Sequence, residues 1–342
     1  MVPPPRDFDD VLTLTDDGLY CPAGGFHVDP WRPVERAVIT HAHADHARPG
    51  SGRYLTSATG RGVLSRRVQS DAVIDTLDYG EATTIGDATV SLHPAGHLLG
   101  SAQVRIEHRG RVAVVTGDFK RDDDVTAAPF ELVRCDLFVT ESTFALPIYR
   151  WPDPAAVAVE LNRWWRDNRE RGETSIVYVY ALGKAQRVLA ALDPAVGPIL
   201  VHGAVARLNE AYAEAGVALP PCEHASVEAA KRHKGSAVVV APPSCNGSTS
   251  VRKFKPFRSA LVSGWMMTRG RRRFRAVDQG FVMSDHADWP GLLDTIDATG
   301  AKAVWCTHGF AEPLARYLRE TRPIDASALA THRPALEDDE AA

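Results

Sequence analysis

Thr40-His41-Ala42-His43-Ala44-Asp45-His46 narrows the folds open to this chain more than any other stretch. Three imidazoles and a carboxylate fall within six residues, directly after Ala37-Val38-Ile39, an apolar run that reads as a buried strand. Side chains alternate faces along an extended chain, so His41, His43 and Asp45 can converge on one side while His46 turns in from the following bend. Neutral imidazole together with carboxylate suits borderline divalent metals such as Zn, Mn or Fe. A surface loop with unrelated histidines would explain one such residue. Four ligand-type side chains at this spacing, at the end of a strand, point to a metal site.

The same pattern recurs along the chain. Pro94-Ala95-Gly96-His97-Leu98-Leu99-Gly100-Ser101 carries a histidine between glycines, which let the backbone turn sharply and approach a ligand closely. His97 therefore reads as a further ligand, whereas His93 and His108 read as ordinary strand residues. Arg111 to Val115 is an apolar strand that closes on Gly117-Asp118, and the two oxygens of Asp118 could bridge two metals. Lys120 and Arg121 follow at once, where they could meet a phosphate. Leu137 to Thr140 leads in the same way to Glu141, Gly280 to Ser284 leads to His286, and Ala303 to Thr307 leads to His308.

Seven of these residues, His41, His43, Asp45, His46, His97, Asp118 and His308, are too many for one tetrahedral ion. They suit two ions sharing Asp118 and a bridging hydroxide. One set is His41, His43, His97 and Asp118; the other is Asp45, His46, Asp118 and His308. His286 is left over to protonate a leaving alkoxide or hold a phosphate, and Glu141 could orient it.

The middle of the chain reads differently. Composition shifts near Pro147, and Asp153 to Arg171 has the spacing of an amphipathic helix, with Val157, Leu161, Trp164 and Trp165 on the core side. Strands are expected at Ile176–Tyr180, Ile199–Gly203 and Ala237–Ser244, with helices opening near Gly183 and spanning Ala206–Ala215. That alternation predicts a parallel α/β unit nested in the chain. Ala181-Leu182-Gly183-Lys184, at a helix start, could hold an anion but lacks the glycine spacing of a P-loop. Residues 252–275 concentrate basic residues among Phe254, Phe257, Trp265 and Phe274. Cations for a backbone and rings for bases suit a single strand, and a solvated edge has the same composition. Outside the insert, short strands are expected over 8–40, a helix over Gly60–Val68, two strands about a Gly-Asp turn over Ala82–His93, and helices over Pro290–Thr299 and Glu312–Glu320.

The chain's 342 residues, 44% of them hydrophobic, allow one large domain or two smaller ones. No run of about eighteen apolar residues predicts a membrane helix, and the start lacks the apolar core of a signal peptide. Five scattered cysteines without a CxxC pair argue against a disulfide framework and for a reducing, cytoplasmic setting. A net charge of −4 gives no global basic field. Lys accounts for seven of the 39 basic residues and Arg for the rest, a bias that suits phosphate recognition and equally a GC-rich genome.

In combination, the His41–His46 run, the His97 loop, Gly117-Asp118 and Thr307-His308-Gly309 resemble the motifs of the metallo-β-lactamase fold. Glu141 in Glu141-Ser142-Thr143-Phe144, His286 in Ser284-Asp285-His286-Ala287-Asp288, and His308 resemble the three additional motifs of its β-CASP nuclease branch. Leu19-Tyr20-Cys21-Pro22-Ala23-Gly24-Gly25-Phe26 and Asp29-Pro30-Trp31 are most similar to the bacterial ligase-associated DNA exonucleases, a group also described as mRNA 3′-end processing exonucleases. The resemblance implies an α/β (α+β) protein: a four-layer αββα sandwich over 1–146 and 281–330, a β-CASP cap over 147–280, and a flexible tail over 331–342. It implies a two-metal phosphodiesterase, loaded with Zn or Mn, in which Asp45, Glu141 and His286 are catalytic. It also implies an exonuclease on single-stranded DNA that works in repair with an ATP-dependent DNA ligase and a helicase and away from membranes. Lys120, Arg121, Lys253, Lys255, Arg271, Arg272 and Arg273 would contact the nucleic acid. RNA processing by the same site is the alternative, since no motif here reads a 2′-hydroxyl.

Overall fold

The computed structural model describes residues 6–68, 71–268 and 277–330. Two compact units account for them: residues up to Arg150 with those from His286 onward, and Trp151–Asp285. The first unit opens with β1 (Thr13–Thr15), β2 (Gly18–Cys21), β3 (Phe26–Val28), β4 (Arg36–Val38), β5 (Arg53–Ser57), α1 (Arg61–Val68) and β6 (Ile74–Leu77). These six strands form one sheet in sequence order, antiparallel up to β3 and parallel from there on. Then come β7 (Ala82–Ile85), β8 (Ala88–Pro94), β9 (Ala102–His108), β10 (Arg111–Val115) and β11 (Leu137–Glu141). In β9, Val104 and Ile106 enter the core while Arg105 and Glu107 point away from it. This period-two alternation gives an antiparallel strand one dry face.

The second unit holds α2 (Pro154–Glu170), β12 (Thr174–Tyr178), α3 (Lys184–Ala191), β13 (Ile199–Val201), α4 (Gly203–Glu214), β14 (Glu223–His224), α5 (Val227–Arg232), β15 (Val238–Ala241), α6 (Thr249–Arg252), β16 (Phe257–Val262) and β17 (Gln279–Phe281). The sheet order is β14-β13-β15-β12-β16-β17, and every pair is parallel. β12, β13 and β15 are buried on both faces, which explains the continuous apolar sequences of β13 and β15 and the Ile176-Val177-Tyr178 run of β12. One face packs under Val157, Leu161, Trp165, Val188 and Leu189 of α2 and α3; the other packs under Ala229, Ala230 and Phe254. Trp165 is fully buried and Trp164 packs against the same core.

The chain then returns to the first unit with α7 (Trp289–Thr299), β18 (Ala303–Thr307), α8 (Ala311–Thr321) and β19 (Asp325–Ala328). Its second sheet runs β19-β18-β11-β10-β9-β8-β7. The two sheets share one core, in which Val38 and Leu55 meet Val90, Val104, Val115, Val139 and Trp305. Leu292 and Ile296 of α7 and Leu314 and Leu318 of α8 cover the other face of the second sheet, and α1 lies against β5 and β6. The unit is thus mixed α/β with two stacked sheets.

Several expected boundaries move. The units divide after Arg150 and Asp285, beyond the expected 146 and 280. Tyr149 packs on Phe144 and its carbonyl accepts Trp289 N–H at 3.1 Å, which holds 147–150 in the first unit; Phe281 and Met283 are core residues of the second. Helix α4 starts at Gly203 because His202 Nδ1 accepts from Ala204 N–H. The basic stretch 252–275 contains strand β16, and Phe254 lies buried in the core instead of offering a face to a base. The expected tail at 331–342 lies outside the described residues.

Candidate metal centre

Strand direction gathers the candidate ligands. β8, β10, β11 and β18 all run the same way, so the loops after them meet at one edge of their sheet, and Ala102 N–H donating to Thr40 O ties the loop after β4 to that edge. The loop after β4 carries His41, His43, Asp45 and His46. It turns at His43, whose carbonyl accepts from His46 and Ala47 N–H. That turn departs from the extended path expected from alternation: it separates His41 and His43 from Asp45 and His46 and sends the two pairs to different clusters.

In the first cluster, His43 Nδ1 lies 3.1 Å from both His41 Nε2 and His97 Nε2. Asp118 Oδ2 lies 3.3 Å from His41 Nε2 and 3.7 Å from His97 Nε2. In the second, Asp45, His46 and His308 bring ligand atoms within 4.8 Å of one another, and His46 Nε2 is 3.5 Å from Asp45 Oδ2. Asp118 Oδ2 is also 3.6 Å from His46 Nε2, so one carboxylate touches both clusters. Two ligands of a tetrahedral ion bound at about 2.1 Å stand about 3.4 Å apart, which is the spacing found here.

The backbone explains how Asp118 and His97 reach these places. Gly117 has φ +57°, and a Cβ there would fall 2.3 Å from Thr40 Oγ1, so only glycine lets β10 close on Asp118 beside the β4 loop. Gly96, at φ +76°, has its Cβ direction filled by the Lys120 carbonyl 2.3 Å away. Lys120 N–H in turn donates to Ala95 O, which ties the His97 and Asp118 loops together. Ser101 Oγ accepts from His97 N–H.

One residue of the site stood in the sequence only as part of the Asp29-Pro30-Trp31 resemblance, with no role at the metal centre. Asp29 accepts from Thr40 N–H at 2.8 Å, from Thr40 Oγ1 at 2.5 Å and from His46 Nδ1 at 2.7 Å. Its backbone sits at φ +46°, a region that Asp tolerates better than most residues. With its Nδ1–H given to Asp29, His46 presents a lone pair at Nε2, and that buried nitrogen has no hydrogen-bond partner among the described residues. An orphaned acceptor aimed at two carboxylates is what a metal-binding imidazole needs. The charge pattern agrees. Burial, the largest single influence, would raise Asp118 and Asp45, but the surrounding histidines, His46 foremost, together outweigh it and hold both below the usual carboxylate range. Burial depresses His41 and His97, which favours neutral imidazole, and their histidine neighbours add to that. Burial also opposes charge on His46, yet Asp45, Asp118 and Asp29 together raise it well above the usual value. The acidic groups thus call for positive charge at this point, and the clusters suit divalent metal ions.

Beside the first cluster, Glu141 Oε2 meets His286 Nδ1 at 2.8 Å, and Glu141 Oε1 accepts from Phe119 N–H at 2.8 Å. Ala287 N–H donates to Phe119 O, pinning His286 next to the Asp118 loop, and its ring stands 5.0 Å from that of His97. Asp285 belongs to the second unit, where buried Arg187 pairs with it at 3.3 Å; it is in none of the metal-type groups among the described residues.

The basic residues expected at nucleic acid fare unevenly. Lys120 is fully buried and paired with Asp124, so it is withdrawn from any phosphate. Lys253 spends its ammonium on Ala225 O at 2.5 Å. Arg121 is exposed but held by Thr295 Oγ1 and the Phe130 face. Lys255 is exposed. Arg271, Arg272 and Arg273 lie outside the described residues.

A probable DNA ligase of Opitutus terrae is 32% identical over 314 residues, covering 91% of this chain and 30% of that protein. Endoribonuclease ysh1 of Aspergillus fumigatus is 32% identical over 124 residues, 35% of this chain and 14% of its own. Transcription termination factor FttA of Methanothermobacter thermautotrophicus is 36% identical over 124 residues, 34% of this chain and 19% of its own. The chain's homologues are thus β-CASP nucleases of the metallo-β-lactamase type and a probable DNA ligase. The chain spans less than a third of the length of these curated relatives. No protein-family model matches it. A solved Enterococcus faecalis protein of unknown function shares the fold at TM-score 0.53 and 14% identity, over 79% of this chain and 74% of its own. Among the described residues, no helix is long and apolar enough to cross a membrane.

Proposed function

We propose that this chain is a metal-dependent phosphodiesterase that removes nucleotides from single-stranded DNA, working in repair beside an ATP-dependent DNA ligase and a helicase. The supporting observation is the doubled cluster that shares Asp118 and abuts the Glu141–His286 pair. In this reading the first unit is a four-layer αββα sandwich, and residues near 147–280 are a β-CASP cap. One ion is held by His41, His43, His97 and Asp118, the other by Asp45, His46, His308 and Asp118, with Zn or Mn in both places. Bound ions supply Lewis acidity and a water acidified to near neutral pH.

The chain's own residues do the rest. Asp29 fixes the His46 tautomer that leaves Nε2 free. Asp45, kept ionised, orients the attacking water. Glu141 accepts a hydrogen bond from His286 Nδ1–H, which leaves Nε2–H of the protonated imidazole to deliver its proton to the departing oxygen and end as neutral imidazole. DNA is favoured because the ligase-named relative matches across 91% of this chain. RNA cleavage is the second reading, favoured by the relatives named endoribonuclease, which match about a third of it.

One single-stranded DNA labelled separately at each end, run beside a matched RNA with added Mn or Zn, with chelator, and with Asp118→Ala, tests both. Metal-dependent stepwise loss of DNA, absent in Asp118→Ala, is expected. Faster loss of the RNA moves the activity to RNA processing. No cleavage of either by fully metal-loaded protein refutes the nuclease reading.

A further inference from the structure

The inner face of the first unit's first sheet is apolar toward the metal-bearing end and becomes charged at the other, along β4, β5 and β6. Pairing register sets this change. Val38 and Leu55 are partners in β4 and β5, and two residues earlier in the same register Arg36 faces Arg53. In β6, Asp75 is the partner of Leu55, and Leu77 lies two residues further on. Val38, Leu55 and Leu77 belong to the shared core, so alternation turns Arg36, Arg53 and Asp75 toward the same interior. Stacked sheets lie about 10 Å apart. Across that gap, β7 and its turn offer Thr83, Thr84, Ile85 and Gly86, none of them charged. The result is a crevice of about 380 Å³ between the edge strands β6 and β7.

Its charges do not balance. Asp75 engages Arg53 through both oxygens, one of them 3.1 Å from Nη2. Arg36, half-buried, has neither a hydrogen bond nor an ion pair among the described residues and feels Asp75 only through longer-range charge. Two guanidinium groups and one carboxylate therefore line a slot open to solvent above an apolar floor of Leu55, Leu77 and Ile85. The planar guanidinium fork is the donor set that matches a carboxylate or phosphate in bidentate fashion. The volume falls within the range of small-molecule pockets.

We propose that this crevice binds a small organic anion, its carboxylate or phosphate head between Arg36 and Arg53 and its flat apolar body against Leu55, Leu77 and Ile85. The site is separate from the metal centre. Arg36 precedes His41 by five residues, up to about 16 Å along an extended chain, and lies at the opposite end of β4. It does not depend on the nuclease reading.

Titration calorimetry on the metal-loaded full chain tests it, with thymidine monophosphate, indole-3-acetate and inorganic phosphate as separate probes. At least one organic anion binds one-to-one, and which one identifies the head group and body. Arg36→Gln weakens that binding about tenfold or more. Thr83→Leu, which fills the slot from the other sheet, abolishes it. Inorganic phosphate binds more weakly than the organic anion. Absence of binding by both organic probes overturns the proposal. So does an affinity unchanged in both variants, or inorganic phosphate binding as tightly as the organic anions.

Discussion

Asp29→Asn isolates how the second cluster is held. The carboxylate receives three hydrogen bonds, from Thr40 N–H, Thr40 Oγ1 and His46 Nδ1. An amide keeps the size and the tolerance for φ +46°, so the backbone stays in place. It retains one acceptor oxygen, which can satisfy Thr40 N–H. Its nitrogen then faces the Nδ1–H of His46, donor against donor, at a position 2.7 Å away. Losing a hydrogen bond to a charged group costs about 1.5–3 kcal/mol. His46 can escape only by moving its ring or shifting the proton to Nε2, the atom meant for the metal. Carboxylates that orient ligating imidazoles contribute about 10–100-fold to metal affinity, or about 1.4–2.7 kcal/mol. Both routes give the same expectation: one of two ions binds 10–100-fold more weakly in Asp29→Asn. The ion at His41, His43, His97 and Asp118 keeps its affinity to within a few-fold. Competition titration of the metal-free protein with a fluorescent chelator reads the two affinities separately. Two ions bound as tightly as in the parent would refute the assigned role of Asp29, and equal weakening of both would refute the separation of the clusters.

His286→Ala should keep both ions and lose turnover by about 10²–10⁴-fold; loss of an ion by elemental analysis would make His286 a ligand instead. Gly117→Ala should destabilise the protein by about 2–4 kcal/mol, because its φ of +57° disfavours a side chain and the new Cβ meets Thr40. Urea unfolding checks this, and pairing it with Thr40→Ala should recover part of the loss. Burial pushes the thiols of Cys21 and Cys135 up to about 11 and about 12, against ordinary values near 9. Below about pH 9 they are neutral in both folded and unfolded chains. As pH rises from there toward 11, the unfolded chain sheds protons that the folded chain retains, so stability falls by up to about 1.4 kcal/mol per pH unit for each thiol. Urea midpoints at pH 8 and pH 10 measure the drop, and Cys135→Ala should make it shallower.

Local chemistry made much of this protein readable from its sequence. Chelating residues at the ends of apolar runs are visible because strand periodicity and ligand type are properties of neighbouring residues. The continuous apolar strands of the middle segment announce a sheet buried on both faces. Short or polar elements such as β14 and β5 were not visible, because three-dimensional pairing stabilises them more than their own residues do. Lys120 and Phe254 show the limit for single residues. A lysine beside a candidate ligand and a ring within a basic stretch look available to a substrate, yet one is buried against Asp124 and the other in the core.

The sequence by itself determined which atoms could bind metal and that they sit at strand ends. Tertiary structure decided how they divide. The turn at His43 assigns neighbouring residues to separate clusters, and three strands of the second sheet that run the same way bring His97, Asp118 and His308 to them across long stretches of chain. Asp29 and Arg36 were decided entirely at that level. What each carboxylate or guanidinium does depends on which donors or charges folding sets within about 3 Å, and no spacing along the chain encodes that distance.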